Sequence, residues 1–565
     1  MAESFNLLDE PWIRVTRLSG EPDEVSLVTA FEEASDISGI HGEIASQDVA
    51  ILRLLLAIAH RAMGGPKDLK TWEAYWNDPE LLATDAVAYL ERYRERFDVR
   101  DPVAPFFQVA GIHAKSGKIS DLESLIVDVP NGAPFFTTRI GPGLDRINWS
   151  EAARWLVHVH AFDPSGIRSG AVGDPEVKGG KGYPIGPGWS GQIGVVTIEG
   201  NNLAETILLN TVVVGLVDSL KEKVDADGDL PPWESEPDGP AGARDLDPTG
   251  PVSCYTWQTR RVLLHGDESG VTGLFLGNGD KATPQNRYLY EPMTAWRYSD
   301  PQTKKFKFDV FMPYKFPKDR AMWRGLSTLV SELSETVVRM DGKKETRYKA
   351  AGVIDFYQQL LFDEIVPNDG LIPVHCVGIE YGSQEAVVDE LVDDVLKVPA
   401  KLLEEDNSRY LAIVRDAMKE TDKVASSLRN LGGNLAKAQG ADPDSVQAAR
   451  EKAATAFYLV VDEEFPRWLA SLAGEEAPDE AKWRWRERLR KTAVGQRDGI
   501  VGSVAPSAYA GRADGNRHID VGISLAWFEA SIRETLPAHP DSQSESKRTD
   551  NECHRNSTCE KCVSL

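Results

Sequence analysis

Between residues 411 and 435, Leu411, Val414, Met418, Thr421, Val424, Leu428, Leu431 and Leu435 recur at intervals of 3, 4, 3, 3, 4, 3 and 4. Only an α-helix returns side chains at this spacing to one face, so the segment is predicted to be a long helix with one buried stripe. Such a stripe needs partners. Three further helical segments follow: roughly 443–472, with a kink or break expected near Pro466, then 478–497, then DVGISLAWFEASIRETL at about 520–536. Four helices with short connections predict a bundle. The preceding residues show no βαβ rhythm; short strands, aromatic loops and helices alternate, which predicts an α+β arrangement. A chain of 565 residues is also too long for one core. The expected organisation is a large mixed domain over 1–394, a C-terminal four-helix bundle over 395–536 and a polar, disordered tail over 537–565.

Two shorter stretches of the first domain are also readable. SQDVAILRLLLAIAHRAM at 46–63 reads as a buried helix with Ser46 as its cap and Leu52, Leu55, Leu56 and Ala59 on one face. The acidic, Pro/Gly-rich stretch over 222–248 reads as a solvated loop without a role. His158 and His160 in WLVHVHAF look like the interior of a helix or strand rather than a metal site.

Charge narrows the function classes. The chain carries 63 Lys and Arg against 88 Asp and Glu, a net charge of −25, which excludes coating nucleic acid through bulk charge but not a local basic site. No run of 18 apolar residues marks a membrane span, the N-terminus has no signal-peptide pattern, and five cysteines make no disulfide framework, so cytoplasm is the expected compartment. Cys553, His554, Cys559 and Cys562 lie in the tail, but their spacing is not a standard zinc knuckle and no metal is expected there. HExxH, GxSxG and paired-Asp patterns are missing from the sequence, so no catalytic residue is assigned.

Against the acidic background, residues 177–191 read VKGGKGYPIGPGWSG, with lysines, glycines and no acid. Bare glycine backbone permits close approach to a partner, and the lysines suggest that the partner carries phosphate. The spacing is not that of a nucleotide P-loop, because Gly180-Lys181 is followed by Gly182 rather than Ser or Thr. An ordinary surface loop fits equally well. Val195, Val196 and Ile198 after it read as an anchoring strand. Residues 281–324 hold ten basic and four acidic residues with ten interleaved aromatics, a pattern suited to phosphate contact and base stacking. Within it, KKFKF at 304–308 alternates as a strand would, so a sheet with a buried aromatic face and a solvated lysine face competes with the binding reading. In AKWRWRERLRK, Arg484, Arg488 and Lys491 share one helix face while Trp485 and Leu489 can point inward.

The opening NLLDEPWIRV resembles the start of the CasA family, the large subunit of the type I-E CRISPR Cascade complex, through Asn6, Leu7, Leu8, Trp12, Ile13 and Val15. APFFQV at 104–109 is similar to that family's HPFxQ element with Ala104 in place of His, and LLN at 208–210 and SVAPSAY at 503–509 follow in the family's order. The resemblance covers about residues 6–536. It implies a non-enzymatic, cofactor-free subunit that recognises the protospacer-adjacent motif in double-stranded DNA. Its implied partners are the other Cascade subunits, crRNA and a helicase–nuclease; no membrane is implied. Carried over residue by residue, it implies DNA contacts at Phe136 and Thr138, at the glycine loop Gly179, Gly180, Lys181 and Gly182, and at a basic finger placed at Arg287 or Lys281. It also implies a wedge at Ser383, Gln384, Glu385 and Ala386 just before a helix. Repulsion between a carboxylate and phosphates predicts that Glu385 turns away from DNA, and Ser383 as a cap of that helix is a structural reading compatible with the wedge. Helix spacing, not the resemblance, adds the basic bundle face at Arg484, Arg488 and Lys491 as a further DNA contact, although on spacing alone a solvated helix face is the favoured reading. Two other classes stay open: a metal- or nucleotide-dependent hydrolase with an unrecognised site, and a general RNA-binding scaffold.

Overall fold

The computed structural model describes residues 4–129, 145–225, 227–244, 246–404, 407–475, 477–515 and 517–539. The chain divides into two compact units, Met1–Glu404 and Glu405–Leu565.

The first unit is α+β, with several small antiparallel sheets around buried helices. The helix Ala45–Ala62 is buried on nearly every side from Val49 to Ala59 and packs against the helix Trp149–Phe162. Its Ser46 is not the cap. Ile44 holds that position, and the Ser46 hydroxyl is buried 3.0 Å from His158 Nε2. His158 and His160 both lie inside Trp149–Phe162, and His160 Nε2 lies 2.8 Å from the Phe107 carbonyl oxygen. Burial pushes each imidazole down to about 3.

The motifs that mark the N-terminus and the middle of the chain are structural. Asn6 Oδ1 accepts from Leu8 N at 3.0 Å and its Nδ2 donates to Arg94 O, folding the NLL segment back on itself. Gln108 of APFFQV is buried; it accepts from Leu264 N at 2.8 Å and donates to Val99 O at 2.9 Å. Asn210 of LLN, fully buried, both donates to Ile198 O (2.7 Å) and accepts from Ile198 N (2.9 Å). Gln108 and Asn210 are buried amides and Asn6 a half-buried one, and each satisfies backbone groups at its site.

The strand Val195–Ile198 is the edge of a three-stranded sheet whose centre is Leu371–Tyr381 and whose other edge is Val388–Pro399. The last two form a long hairpin. The segment KKFKF is not a strand: Asp300–Phe306 is a helix capped by Ser299, with Lys307 left-handed at its end. Ser-Asp-Pro at its start and lysines in its last turn are helix signals that outweighed five residues of alternation. The acidic stretch is not merely solvated either. Asp229 is buried and caps the Pro251–Tyr255 helix by accepting from Val252 N and Ser253 N, and Glu234 pairs with Arg61 at 2.6 Å.

In the second unit, Ser408–Gln439 forms the expected long helix. Seven of the eight stripe residues are buried and Met418 is half-buried. It packs against Pro443–Ser471, Pro478–Gly502 and Val521–Thr535. Pro443–Ser471 is assigned as one helix through Pro466, so the expected break is absent. SVAPSAY leads into a short helix, Ser507–Ala510, and a small hairpin, Arg512–Asp514 with Arg517–Ile519. The tail cysteines and His554 lie outside the described residues. Among the described residues no helix is long and apolar enough to cross a membrane.

The depressed His160 makes a pH prediction. Its folded value lies below the unfolded one, so the stability tied to its neutral form is complete above about pH 6.5 and is lost as pH falls toward 3. Asp48 and Asp355, raised to about 7 by burial, work in the opposite sense over the same range. The comparison must therefore be between wild type and His160→Gln. Urea melts should show the gap between them narrowing by about 2 kcal/mol from pH 7 to pH 5.

Candidate nucleic-acid interface

The glycine loop is an ordered turn. Lys178 N donates to Lys181 O at 3.1 Å and Lys181 N to Lys178 O at 3.2 Å, closing a two-residue hairpin over Gly179 and Gly180. Both have positive φ, +59° and +75°, as a type I′ turn requires. A Cβ on either would meet nothing within 4 Å, and Lys178, Gly179, Gly180 and Lys181 are all exposed. Gly182 differs. It is buried, paired with Arg168, and a Cβ there would come within 2.9 Å of Asn278 Nδ2. The glycines are thus of two kinds: bare at the tip, close-packed behind it. Tyr183, more than half exposed, follows.

The strand Arg168–Ser169 carries this turn through its pairing with Lys181–Gly182. It is held from behind by Asp163, which follows the end of the Trp149–Phe162 helix. The Asp163 carboxylate accepts from Arg168 Nη2 at 2.6 Å and from the fully buried Arg260 Nε. Arg260 Nη2 also donates to Pro164 O and Gly186 O at 3.0 and 2.9 Å, tying the far side of the glycine segment to the same point. Burial pulls Arg260 below its ordinary value, against the charge of Asp163. Further along, Trp189 Nε1 donates to Glu291 Oε2 at 2.7 Å, and Glu291 forms a buried ion pair with Arg53.

Ser383–Ala386 is the exposed tip of the long hairpin. Strand Val388–Pro399 follows it, not a helix, and Ser383 makes no cap. The reason is local: Gln384 (φ 58°) and Glu385 (φ 55°) are both left-handed, and Ala386 N donates to Ser383 O at 3.3 Å. That reverses the chain as a type I′ turn does, without the Asn-Gly or Gly-Gly that normally occupies it. Each non-glycine residue held there costs roughly 1–2 kcal/mol. Glu385 pairs with Lys315 Nζ at 3.3 Å, and its carbonyl accepts from Ser165 N at 2.8 Å. The tip therefore touches the segment that carries the glycine turn. Arg168, Asp163 and Ala386–Val388 line one shared cleft.

The two basic-finger candidates separate. Arg287 is mostly buried, paired with Asp247 and bonded to Thr283 Oγ1 at 2.6 Å, so it is held inside the fold. Lys281 is exposed and makes no ion pair among the described residues; its main-chain N donates to Ala243 O. It lies three residues after Asn278, whose Nδ2 donates to Tyr183 O at 2.6 Å. Phe136 and Thr138 lie outside the described residues.

In the second unit, Trp485 and Leu489 are buried as expected. The basic face is charge-compensated. Arg484 pairs with Glu475 and Arg488 with Glu464, both acids shielded within the bundle. Lys491 is exposed and makes no ion pair among the described residues. Sequence position alone could not reveal the pairing, since Glu464 lies on the neighbouring helix. The converse miss is Asp163, Ser165 and Arg260. They position the candidate residues but belong to no motif, and their sequence separation left no local signal.

Removing Arg260 should leave Asp163 buried with one half-shielded partner. Arg260→Met is expected to cost about 3–5 kcal/mol in the urea transition that unfolds the first unit. Amide exchange at Gly188, whose N donates to Asp163 O at 3.0 Å, should rise with it.

The family model of CRISPR-associated protein Cse1 matches residues 6–496. The crystal structure of Thermobifida fusca Cse1 is 38% identical, with a TM-score of 0.83, over 94% of this chain and 98% of that one. CasA/Cse1 of Thermus thermophilus is 28% identical over 517 residues, 87% of this chain and 91% of its own length. A chain of a CRISPR RNA-guided surveillance complex shares the fold at 17% identity, with a TM-score of 0.66 over 94% of this chain and 99% of that one.

Proposed function

The chain belongs to the CRISPR-associated Cse1 family, and from that premise we propose that it is a non-enzymatic subunit of a crRNA-guided surveillance complex. In this reading it recognises the protospacer-adjacent motif in duplex DNA, helps open the duplex and helps recruit the helicase–nuclease. The observation that carries the reading is the pair of exposed tight turns braced by one short segment, Asp163–Ser169. One turn offers bare backbone flanked by Lys178 and Lys181; the other offers Gln384 on a rigid hairpin.

The chemistry suits the division of labour. Backbone N–H and C=O at Gly179 and Gly180 can approach base edges because no Cβ intervenes, while the flanking lysines neutralise phosphate. Lys281 supplies a further cation. Gln384 offers both donors and an acceptor to bases that have lost their partners. Glu385 is engaged by Lys315, which masks a carboxylate that would otherwise repel the backbone phosphates. Phe136 and Thr138 complete the set by family resemblance. On the bundle all three basic residues are exposed, but Lys491 is the member without an ion pair among the described residues, while Arg484 and Arg488 are available only if their acids release them.

Gly179→Asn tests the glycine turn. Asparagine tolerates the left-handed conformation, so the fold and melting temperature should hold within about 0.5 kcal/mol, while the new side chain stands between backbone and DNA. Target binding by the reconstituted guide complex is expected to fall about tenfold or more; unchanged affinity would remove the turn from the interface. Lys281→Ala should weaken target binding and reduce the salt slope by about 1, as loss of one phosphate contact does. Arg287→Ala should instead lower thermal stability and leave that slope alone. The reverse pattern in a salt titration would exchange the two assignments.

A further inference from the structure

The two turns are physically joined, and one side chain sits at the joint. Arg168 pairs through its backbone with Gly182, at the base of the glycine turn. Its guanidinium donates to Asp163 Oδ2 at 2.6 Å and to Pro164 O at 2.5 Å, fixing the two residues immediately before Ser165. Ser165 N–H then donates to Glu385 O at 2.8 Å, inside the left-handed pair of the hairpin tip. The chain of contacts from glycine turn to hairpin tip thus runs through hydrogen bonds within seven consecutive residues, 163–169. Arg260 braces the same segment from the buried side.

The tip depends on such support. Gln384 and Glu385 occupy backbone conformations that L-residues avoid, and strained conformations persist only where their surroundings over-determine them. Here the support includes the Ser165 bond, the Lys315 ion pair, the turn's own hydrogen bonds and, one strand position back, the Tyr381 hydroxyl, which donates to Phe162 O at 2.6 Å. The Ser165 bond is the one made by the tip residues themselves that leads back to the segment Arg168 holds.

We propose that Arg168 is a positioning residue that couples the glycine turn to the Gln384 tip, so that displacement of the Arg168–Ser169 strand alters how firmly the tip is held. The functional consequence rests on the reading above. Engagement of the glycine turn by DNA would be felt at the wedge before any base pair opens, through the hydrogen bonds of residues 163–169. Arg168 touches no nucleic acid in this scheme; it acts through Pro164 and Ser165.

Hydrogen–deuterium exchange of the full chain, without DNA, tests the coupling apart from the function. Arg168→Met should raise exchange of the Gly382 and Ala386 amides about tenfold, while amides of the Ser408–Gln439 helix stay unchanged. Arg168→Lys, which keeps the cation, should restore part of that protection, whereas a merely packing role would not distinguish Lys from Met. Unchanged tip exchange in Arg168→Met, or a rise spread over the whole first unit, would overturn the proposal. The functional arm measures strand opening by the assembled guide complex. Arg168→Met should slow opening of a fully paired target about tenfold and leave a target with its first guide-facing bases unpaired nearly unaffected. Altered tip exchange with equal opening rates on the paired target would leave the coupling standing and refute the wedge reading. Gln384→Ala, which leaves the joint intact, should change opening and not exchange.

Discussion

Asp163 organises the candidate interface. A carboxylate buried to this extent is costly unless its charge and lone pairs are fully used. Here Arg260 and Arg168 supply two cations, and Gly188 and Arg260 use the adjacent carbonyl. The arrangement converts one helix end, that of Trp149–Phe162, into a fixed reference for three separate pieces of chain: the Arg168–Ser169 strand, the Gly186–Gly188 backbone and the Arg260 strand. The exposed turns inherit their position from that point. An interface built on loops alone would reach the same surface with far less definition, because loop tips contribute few buried contacts of their own.

The sequence exposed the fold where its signals are local and failed where they are distant. The stripe from Leu411 to Leu435 is a local signal repeated over seven turns, and the helix follows it closely. Alternation in KKFKF is equally local but spans only five residues, and the cap at Ser299 and the lysine-rich end decided against it. The hairpin tip was readable only as a motif position. Its turn lacks Asn-Gly, and VDELVDDVLKVP is too acidic to announce a strand, although it pairs along its length with Leu371–Tyr381. The acidic stretch shows the opposite failure. Composition described its surface but could not show that Asp229 caps a helix and Glu234 meets Arg61.

The same distinction divides the candidate site. The glycine turn could be recognised because its residues carry the backbone requirement themselves: two positive φ values need two glycines at low cost. Arg287, Arg484 and Arg488 are basic in sequence yet committed to acids in the fold, through Asp247, Glu475 and Glu464. Basic residues that recognise phosphate and basic residues that knit a fold look alike until their partners are placed. Of these three pairs Arg488–Glu464 is bidentate, the geometry that arginine's planar fork favours, while Lys281 and Lys491 make no ion pair among the described residues.

That division bears on how an acidic protein can read DNA. At −25, long-range attraction is unfavourable, and binding must come from short-range geometry on a small patch where the cations are not already paired. Lys178 and Lys181 flank one such stretch of bare backbone, and both are exposed. The rest of the surface then discourages non-specific adhesion. On the proposed reading, such a subunit would gain little affinity for DNA alone and would depend on a partner to bring the duplex to it, while rejecting sequences that do not fit the bare turn. On that reading, low bulk affinity and a small patch of bare backbone flanked by lysines unpaired among the described residues are two sides of one design: the negative field would set the threshold, and the geometry held by Asp163 would select which duplex crosses it.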